Sequence, residues 1–292
     1  DVYKRQAWLL SHILVRPFDR VTSAIREIND GFNTEQISVS DYVETEHIVN
    51  AFNELLGRMR TLDESRQEFV SNVSHELKTP ITSMKVLADS LISQEDVPIE
   101  LYKEFMTDIA EEIERENKII TDLLSLVKMD KTSANLNIEN RNLNELIELI
   151  LKRLRPIAKQ RNIDVLYESA REVFAEIDEV KLTLAISNLV ENAIKYNKEY
   201  GYVKVSLDAD HQFATIMVED NGIGIPEEAQ EHIFERFYRV DKSHSREIGG
   251  TGLGLAIARN AILLHRGSIK IDSEEGQGTV FTVKIPIIYV SK

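Results

Sequence analysis

The sequence predicts a multidomain chain, an all-α four-helix bundle built by dimerisation and followed by an α+β sandwich, on three observations. Over residues 46–95 and 99–130 apolar side chains recur at steps of three and four, as in long amphipathic helices. Beyond residue 161 the period shortens to two in NIDVLYES, REVFAEID, YVKVSLDA, QFATIMVED, SIKIDSEE and GTVFTVKIP, which read as strands. Between the two regimes, Lys131–Asn144 is polar and Asn-rich and reads as a linker. A length of 292 residues suits about two domains.

Composition excludes several functions. A net charge of -14 argues against a nucleic-acid partner held through phosphates, because neutralising phosphates takes clustered Lys and Arg. With no cysteine there is no disulfide, thiolate nucleophile or Cys-based zinc site, in keeping with a reducing compartment.

The elements follow in order. Residues 1–6, DVYKRQ, match what a transposon-adapter end would encode and are set aside as a sequencing artefact. Residues 7–15, AWLLSHILV, are apolar but short of the roughly 20 residues that cross a bilayer. They read either as the end of a truncated transmembrane helix, with Arg16 on its cytoplasmic flank, or as an ordinary amphipathic helix start. Residues 17–30 carry a helical pattern, and Gly31–Val43 form a polar connector in which Ile37 and Val39 alternate. The long helical run 46–95 then ends in SQEDVPIE (Ser93–Glu100), an acidic turn with Pro98, so that residues 66–130 form a helical hairpin. In its second arm Phe105, Ile109, Ile113, Ile120, Leu123 and Val127 keep near-heptad spacing, interrupted at Glu116. One hairpin leaves that seam uncovered, whereas two copies close it as an antiparallel four-helix bundle, which implies a homodimer.

The first arm holds the first candidate site, in VSNVSHELKTPITSMKV. Phe69, Val73, Leu77, Pro80, Met84, Leu87 and Leu91 define an apolar seam. At roughly 100° per residue, His75 lies about 160° from Val73 and from Leu77, and so faces away from the seam. An outward imidazole, largely neutral near pH 7, offers a lone pair for nucleophilic attack. Glu76 is long enough to swing back, accept the other ring N–H and take up its proton. Thr79, at i+4 and on the same face, is placed to orient a water against a phosphorylated ring. Pro80 removes an N–H that would have met the Glu76 carbonyl, so the helix is expected to bend beside His75. An exposed histidine is ordinarily a surface residue; the combination with Glu76, Thr79 and Pro80 is what makes it a candidate.

In the second region, helices are expected at about Leu143–Arg161, Lys181–Tyr196, Glu227–Phe234 and Gly252–His265, covering one face of a mixed sheet. Within NLVENAIKY, Asn188 and Asn192 are four apart and share a face, with Lys195 three further on. Amide oxygens there suit Mg²⁺, amide nitrogens suit phosphate, and Lys195 supplies a cation; two solvent-facing asparagines are the plain alternative. EDNGIGIP places Asp220 at a strand end before Gly222 and Gly224. Further on, Gly249, Gly250, Gly252 and Gly254 follow a basic stretch and open a helix, where backbone N–H groups and the helix dipole suit an anionic phosphate. These glycines lie between two helices, not after a first strand, so the dinucleotide fingerprint fails. Gly276 and Gly278 read as a hairpin turn.

Taken together, SHELKTP, NLVENAIKY, DNGIGIP, IFERFYR and GTGLGLAI, in this order, strongly resemble the phosphoacceptor, asparagine, first glycine, phenylalanine and second glycine boxes of bacterial sensor histidine kinases of two-component signalling. The resemblance covers about residues 66–288. It implies a dimerisation and phosphotransfer hairpin (66–130), a linker (131–144) and an ATP-binding catalytic domain of the GHKL or Bergerat type (145–288). Residues 16–62 resemble a HAMP signal relay, with Pro17, Gly31, Glu46 and Phe52-Asn53 in matching places. Carried onto this chain, the resemblance implies that His75 accepts the γ-phosphoryl group of ATP, Glu76 assists as base and Thr79 supports dephosphorylation. Asn188 and Asn192 would bind phosphate and Mg²⁺, with Asn192 the metal ligand and Lys195 and Tyr196 beside the nucleotide. Asp220 would accept the adenine amino group, Gly222, Gly224, Gly250, Gly252 and Gly254 would form the loops, and Arg239 and Arg246 would meet the γ-phosphate. His244 stands where a basic lid residue is often found. A response regulator receiver domain is the implied partner, and the cytoplasmic side of a bacterial inner membrane the implied location, reached through an N-terminal segment outside this sequence. The alternatives are an ATP-hydrolysing clamp and a non-catalytic signalling scaffold. The clamps carry a Glu four residues before the metal-binding Asn, and here that position is Asn188.

Overall fold

The structure, a computed structural model, describes residues 3–5, 8, 43–93, 97–131, 136–240 and 250–289. The expected helix at 17–30, the connector 31–42 and with them most of the HAMP-like stretch lie outside the described residues. The chain divides into two compact units, residues 1–75 and 76–292, and the division falls within the first long helix.

That helix, α1 (Val43–Ile92), is continuous through Pro80. Burial follows the predicted seam: Phe69, Val73, Leu77, Met84, Leu87 and Leu91 are partly buried, Pro80 is buried and His75 is exposed. The proline therefore removes one backbone bond without ending the helix.

In the second long helix, α2 (Ile99–Lys131), part of the predicted seam is open in the single chain and a second apolar stripe is buried. Ile113, Ile120 and Val127 stay exposed in the single chain at 46%, 42% and 40%, whereas Ile119, Leu126 and Met129 are buried. The helix carries two apolar stripes, and heptad spacing alone does not say which one the chain's own fold covers. Leu126 and Met129 belong to the same core as the α+β region.

The expected linker is shorter than predicted, because β1 (Glu139–Asn142) pairs antiparallel with β3 (Phe174–Ile177) in a two-stranded sheet of its own. Its residues Glu139, Asn140, Arg141 and Asn142 have no apolar alternation, so the strand could not be seen in the pattern. The remaining strands form one mixed sheet in the order β2-β4-β5-β7-β6, comprising β2 (Asp164–Ser169), β4 (Tyr202–Ala209), β5 (Phe213–Asp220), β6 (Ser268–Glu274) and β7 (Gly278–Pro286). Only β2 and β4 pair in parallel. Val203, Val205 and Leu207 of β4, Ala214, Ile216 and Val218 of β5, and Phe281, Val283 and Ile285 of β7 are buried at alternate positions. One sheet face is therefore the core face, as period-two patterning requires.

Three helices are part of that core: α3 (Leu143–Gln160), α4 (Glu179–Lys195) and α6 (Gly254–Leu264). The predicted helix over Glu227–Phe234 is confined to one turn, α5 (Glu227–Gln230), before the chain passes into turns. Gly276 and Gly278, both at positive φ, make the β6–β7 hairpin turn as predicted.

The N-terminus of α4 is fixed by Asp178. Its Oδ1 accepts the Lys181 N–H at 3.1 Å, and its Oδ2 accepts from the Asn137 N–H at 3.1 Å and from Lys181 Nζ at 2.6 Å. The Asp178 N–H in turn donates to Nε2 of buried His265 at 2.9 Å, while His265 Nδ1 lies 2.7 Å from the Ala261 carbonyl. One acceptor and one donor nitrogen define a neutral ring.

Burial holds the His265 imidazole below its ordinary value of 6.5. The unfolded chain therefore takes up the proton more readily, and stability that is intact above about pH 6.5 is lost as the pH falls below it. The urea midpoint of the full chain, followed by circular dichroism, should drop between pH 7.5 and 5.5, and His265→Gln should flatten that drop. Equal slopes in the two proteins would contradict the assignment.

Candidate functional site

A cavity of about 550 Å³ opens between α4, the end of β5 and the N-terminus of α6. Most of the residues expected to form a site are in its wall. Asn188, Asn192, Lys195 and Tyr196 come from the polar face of α4 and its C-cap, Asp220 from the end of β5, Gly224 from the following loop, and Arg239, Gly250, Gly252 and Gly254 from the stretch entering α6.

The cavity has two chemically different ends. Toward Asp220 the wall includes Ile223, Ile225, Ile233, Phe281 and Thr279, a mainly apolar lining in which Asp220 is the half-buried carboxylate and Glu275 an exposed one. Burial pushes Asp220 up to about 6, against the N–H donors of Gly222 and Thr279. Toward α6 the wall is amides, cations and glycine backbone. Asn188 Nδ2 donates to the Leu184 carbonyl at 2.9 Å, which fixes that amide on its own helix. Lys195 is pulled down to about 8, first by burial and then by Lys118, Arg239, Arg161 and Arg115. Its Nζ stands 5.2 Å from the Tyr196 ring centroid.

Two glycines show why the loops need their backbone bare. Gly224 sits at φ +67, and a Cβ there would run into the Glu274 carbonyl. At Gly250 a Cβ would come within 2.6 Å of Lys195 Nζ and fill the space beside that cation. Gly222 is buried and is not among the residues lining the cavity, and its N–H donates to Asp220 Oδ1 at 2.9 Å. It shapes the turn that presents Asp220. Arg246, His244 and Gly249 lie outside the described residues.

His75, exposed on α1, is followed by partly buried Glu76 and exposed Thr79. Sequence reasoning missed the apolar slot and Lys118, Asp122, Glu191 and Thr251. Ile223 and Ile225 stand inside DNGIGIP, where the glycines and Asp220 carry the visible signal, and Ile233 falls in the predicted helix Glu227–Phe234. Lys118 and Asp122 sit on a helix assigned to another job. Glu191 stood one residue from Asn192, and that adjacency was the available signal.

Comparison with known proteins follows this division. Residues 65–132 match the His Kinase A (phospho-acceptor) domain family, and residues 177–288 match the histidine kinase-, DNA gyrase B- and HSP90-like ATPase family. The sensor histidine kinase WalK of Bacillus subtilis is 38% identical over 228 residues, covering 77% of this chain and 37% of that protein. The chain belongs to the bacterial sensor histidine kinases. A WalK sensor protein kinase of Staphylococcus aureus is 36% identical over 278 residues, covering 90% of this chain and 66% of that one. The chain thus spans about a third to two-thirds of the length of such relatives. Among solved structures, the histidine kinase ThkA in complex with the response regulator TrrA aligns with a TM-score of 0.64 at 27% identity, covering 86% of this chain and 69% of that one. The Acinetobacter baumannii histidine kinase AdeS gives 0.59 at 25% identity over 73% of this chain and 98% of that one. Most of the cavity lining falls within the ATPase match, Lys118 and Asp122 fall within the phospho-acceptor match, and so does His75.

An ionised Asp220 carboxylate is a stronger acceptor for a ligand N–H than the protonated acid, which keeps only part of its acceptor capacity. Adenosine, which has no phosphate to titrate, should bind with constant affinity above pH 7 and progressively more weakly as the pH falls through the Asp220 midpoint of about 6. Asp220→Asn should remove that dependence in equilibrium titrations.

Proposed function

We propose that this chain binds ATP in the cavity, phosphorylates itself on His75 and passes the phosphoryl group to an aspartate of a response regulator receiver domain. The observation that carries the reading is the cavity lining, which joins apolar side chains around Asp220 to amides, Lys195 and glycines, in a chain that also displays an exposed histidine. Adenine fits the slot against Asp220, and the triphosphate lies toward Lys195, Arg239 and the N–H groups that begin α6. In the transfer a His75 ring nitrogen forms the new N–P bond, the bond from the γ-phosphorus to the bridging oxygen of ADP breaks, and Glu76 takes the proton from the other ring nitrogen. The protein's part is positioning and charge stabilisation.

The donor set suits a magnesium ion carried by the nucleotide. Among the described residues no cluster of three or more His, Cys, Asp or Glu could hold a metal, while the Asn192 amide is on the cavity wall. Mg²⁺ commonly takes few protein ligands and several phosphate and water oxygens, and it neutralises phosphate charge when bound. Arg246 would join Arg239 at the terminal phosphate.

Dimerisation is supported by the exposed stripe Ile113, Ile120 and Val127, whose seven-residue spacing suits a second copy. ThkA with TrrA supports a response regulator as partner. We assign residues 16–62 to a HAMP-like relay and place the chain on the cytoplasmic side of the bacterial inner membrane, on the strength of AWLLSHILV and Arg16. Among the described residues no helix is long and apolar enough to cross a membrane. The ATP-hydrolysing clamp is disfavoured at Asn188, an amide bonded to its own helix where that mechanism needs a carboxylate base.

With Mg²⁺ and γ-labelled ATP, the full chain should acquire acid-labile phosphate, and His75→Gln should abolish it; labelling retained in that variant would refute the central claim. Thr79→Ala should slow loss of phosphate from a phosphorylated partner regulator about tenfold or more while sparing autophosphorylation, in line with loss of a group that orients water. Equal loss of both activities would count against that role for Thr79.

A further inference from the structure

One wall of the cavity comes from the second hairpin helix. Lys118 and Asp122, four residues apart on α2 and hence on one face, both border the cavity. Lys118 Nζ is 2.9 Å from Glu191 Oε2, and both side chains are partly exposed. Asp122 is buried and accepts the Thr251 hydroxyl at Oδ2, 2.9 Å away, while Thr251 Oγ1 accepts the Leu253 N–H at 3.2 Å. A single helix thus grips the residue beside Asn192 and the residue between Gly250 and Gly252.

The charges in this part of the cavity are arranged for an anion. After burial, Lys118 does most to depress the Lys195 amine, and Arg239 comes next. Lys118, Lys195 and Arg239 all line the cavity, and like charges brought together there repel. Glu191 is the carboxylate paired with Lys118 there. A polyphosphate would bring several negative charges to the same place. The Asp122–Thr251 bond fixes α2 against the glycine loop and so keeps the Lys118 ammonium at the cavity edge.

We propose that Lys118 is a phosphate-binding residue of the nucleotide site, contributed by the hairpin, which exchanges its bond to Glu191 for the polyphosphate chain of ATP. This inference rests on the ATP-binding reading of the cavity. Its consequence is that ATP is held by the hairpin and the catalytic fold together, so any shift of α2 changes nucleotide affinity.

The test is equilibrium binding of ATP and of adenosine to the full chain in EDTA, where a metal ion held near Glu191 does not enter. Lys118→Ala should weaken ATP by about tenfold, the scale of a lost charge-assisted hydrogen bond, leave adenosine unchanged, and be largely rescued by Lys118→Arg. Glu191→Gln should tighten ATP, and that gain should shrink in the Lys118→Ala background. If the ion pair only ties two elements together, both single variants shift ATP binding in the same direction and the proposal fails. It fails equally if the Glu191→Gln gain is undiminished without Lys118, if adenosine weakens as much as ATP, or if Lys118→Ala binds ATP normally. A wild-type chain that binds no ATP overturns the nucleotide reading and this proposal with it.

Discussion

The Asp178 carboxylate holds the N-terminal end of α4, and the groups that α4 brings to the cavity are aimed by that hold. The helix is packed on most of its surface, with Leu182, Ala185, Ile186, Leu189, Val190, Ala193 and Ile194 buried. Apolar packing alone is non-directional and tolerates small slides along and about the axis. The hydrogen bonds at the ends are directional. Asp178 fixes one end through Lys181, Asn137 and its own N–H to His265. At the other end Arg161 Nη1 donates to the Lys195 carbonyl at 2.6 Å, and Asn197 Nδ2 bonds the Ala193 and Tyr202 carbonyls at 3.1 and 2.9 Å. Between those fixed ends Asn188, Asn192 and Lys195 keep their register with the glycines that enter α6.

The second constraint is on α2, which serves two surfaces with one amphipathic helix. Ile119, Leu126 and Met129 are buried, and Leu126 and Met129 lie in the α+β core, while Ile113, Ile120 and Val127 remain open. Beside that core, buried Asp122 is satisfied at Thr251, and the partly exposed Lys118 pairs with Glu191. A buried carboxylate is costly unless bonded, so such a contact specifies one arrangement more sharply than extra apolar packing would. It also ties the glycine loop to the helix whose open stripe is suited to a second copy.

Much of the site was legible in the chain because its chemistry is local. His75, Glu76 and Thr79 fall within one helical turn, Asn188, Asn192 and Lys195 within two, and the glycines announce backbone conformations that side chains would spoil, as at Gly224. The apolar slot was not legible. Ile223, Ile225, Ile233 and Phe281 are scattered over about sixty residues, and isoleucine in a strand or beside a helix is ordinarily core. The role of Gly222 in shaping the turn is seen only in the fold, where its N–H donates to Asp220 Oδ1. β1 escaped notice because ENRN takes its place through backbone pairing with β3, without side-chain alternation.

The sequence by itself determined the order of the elements, the outward direction of His75 and the shared face of Asn188 and Asn192, since all three depend on the helical repeat and short spacings. Which apolar stripe of α2 is buried, which glycines line the cavity, and the meeting of Lys118 with Glu191 and of Asp122 with Thr251 were decided only by the tertiary structure. Those pairs are separated by 73 and 129 residues along the chain. No local periodicity reaches that far; only the packing of α2 with the α+β region brings the partners within hydrogen-bonding distance.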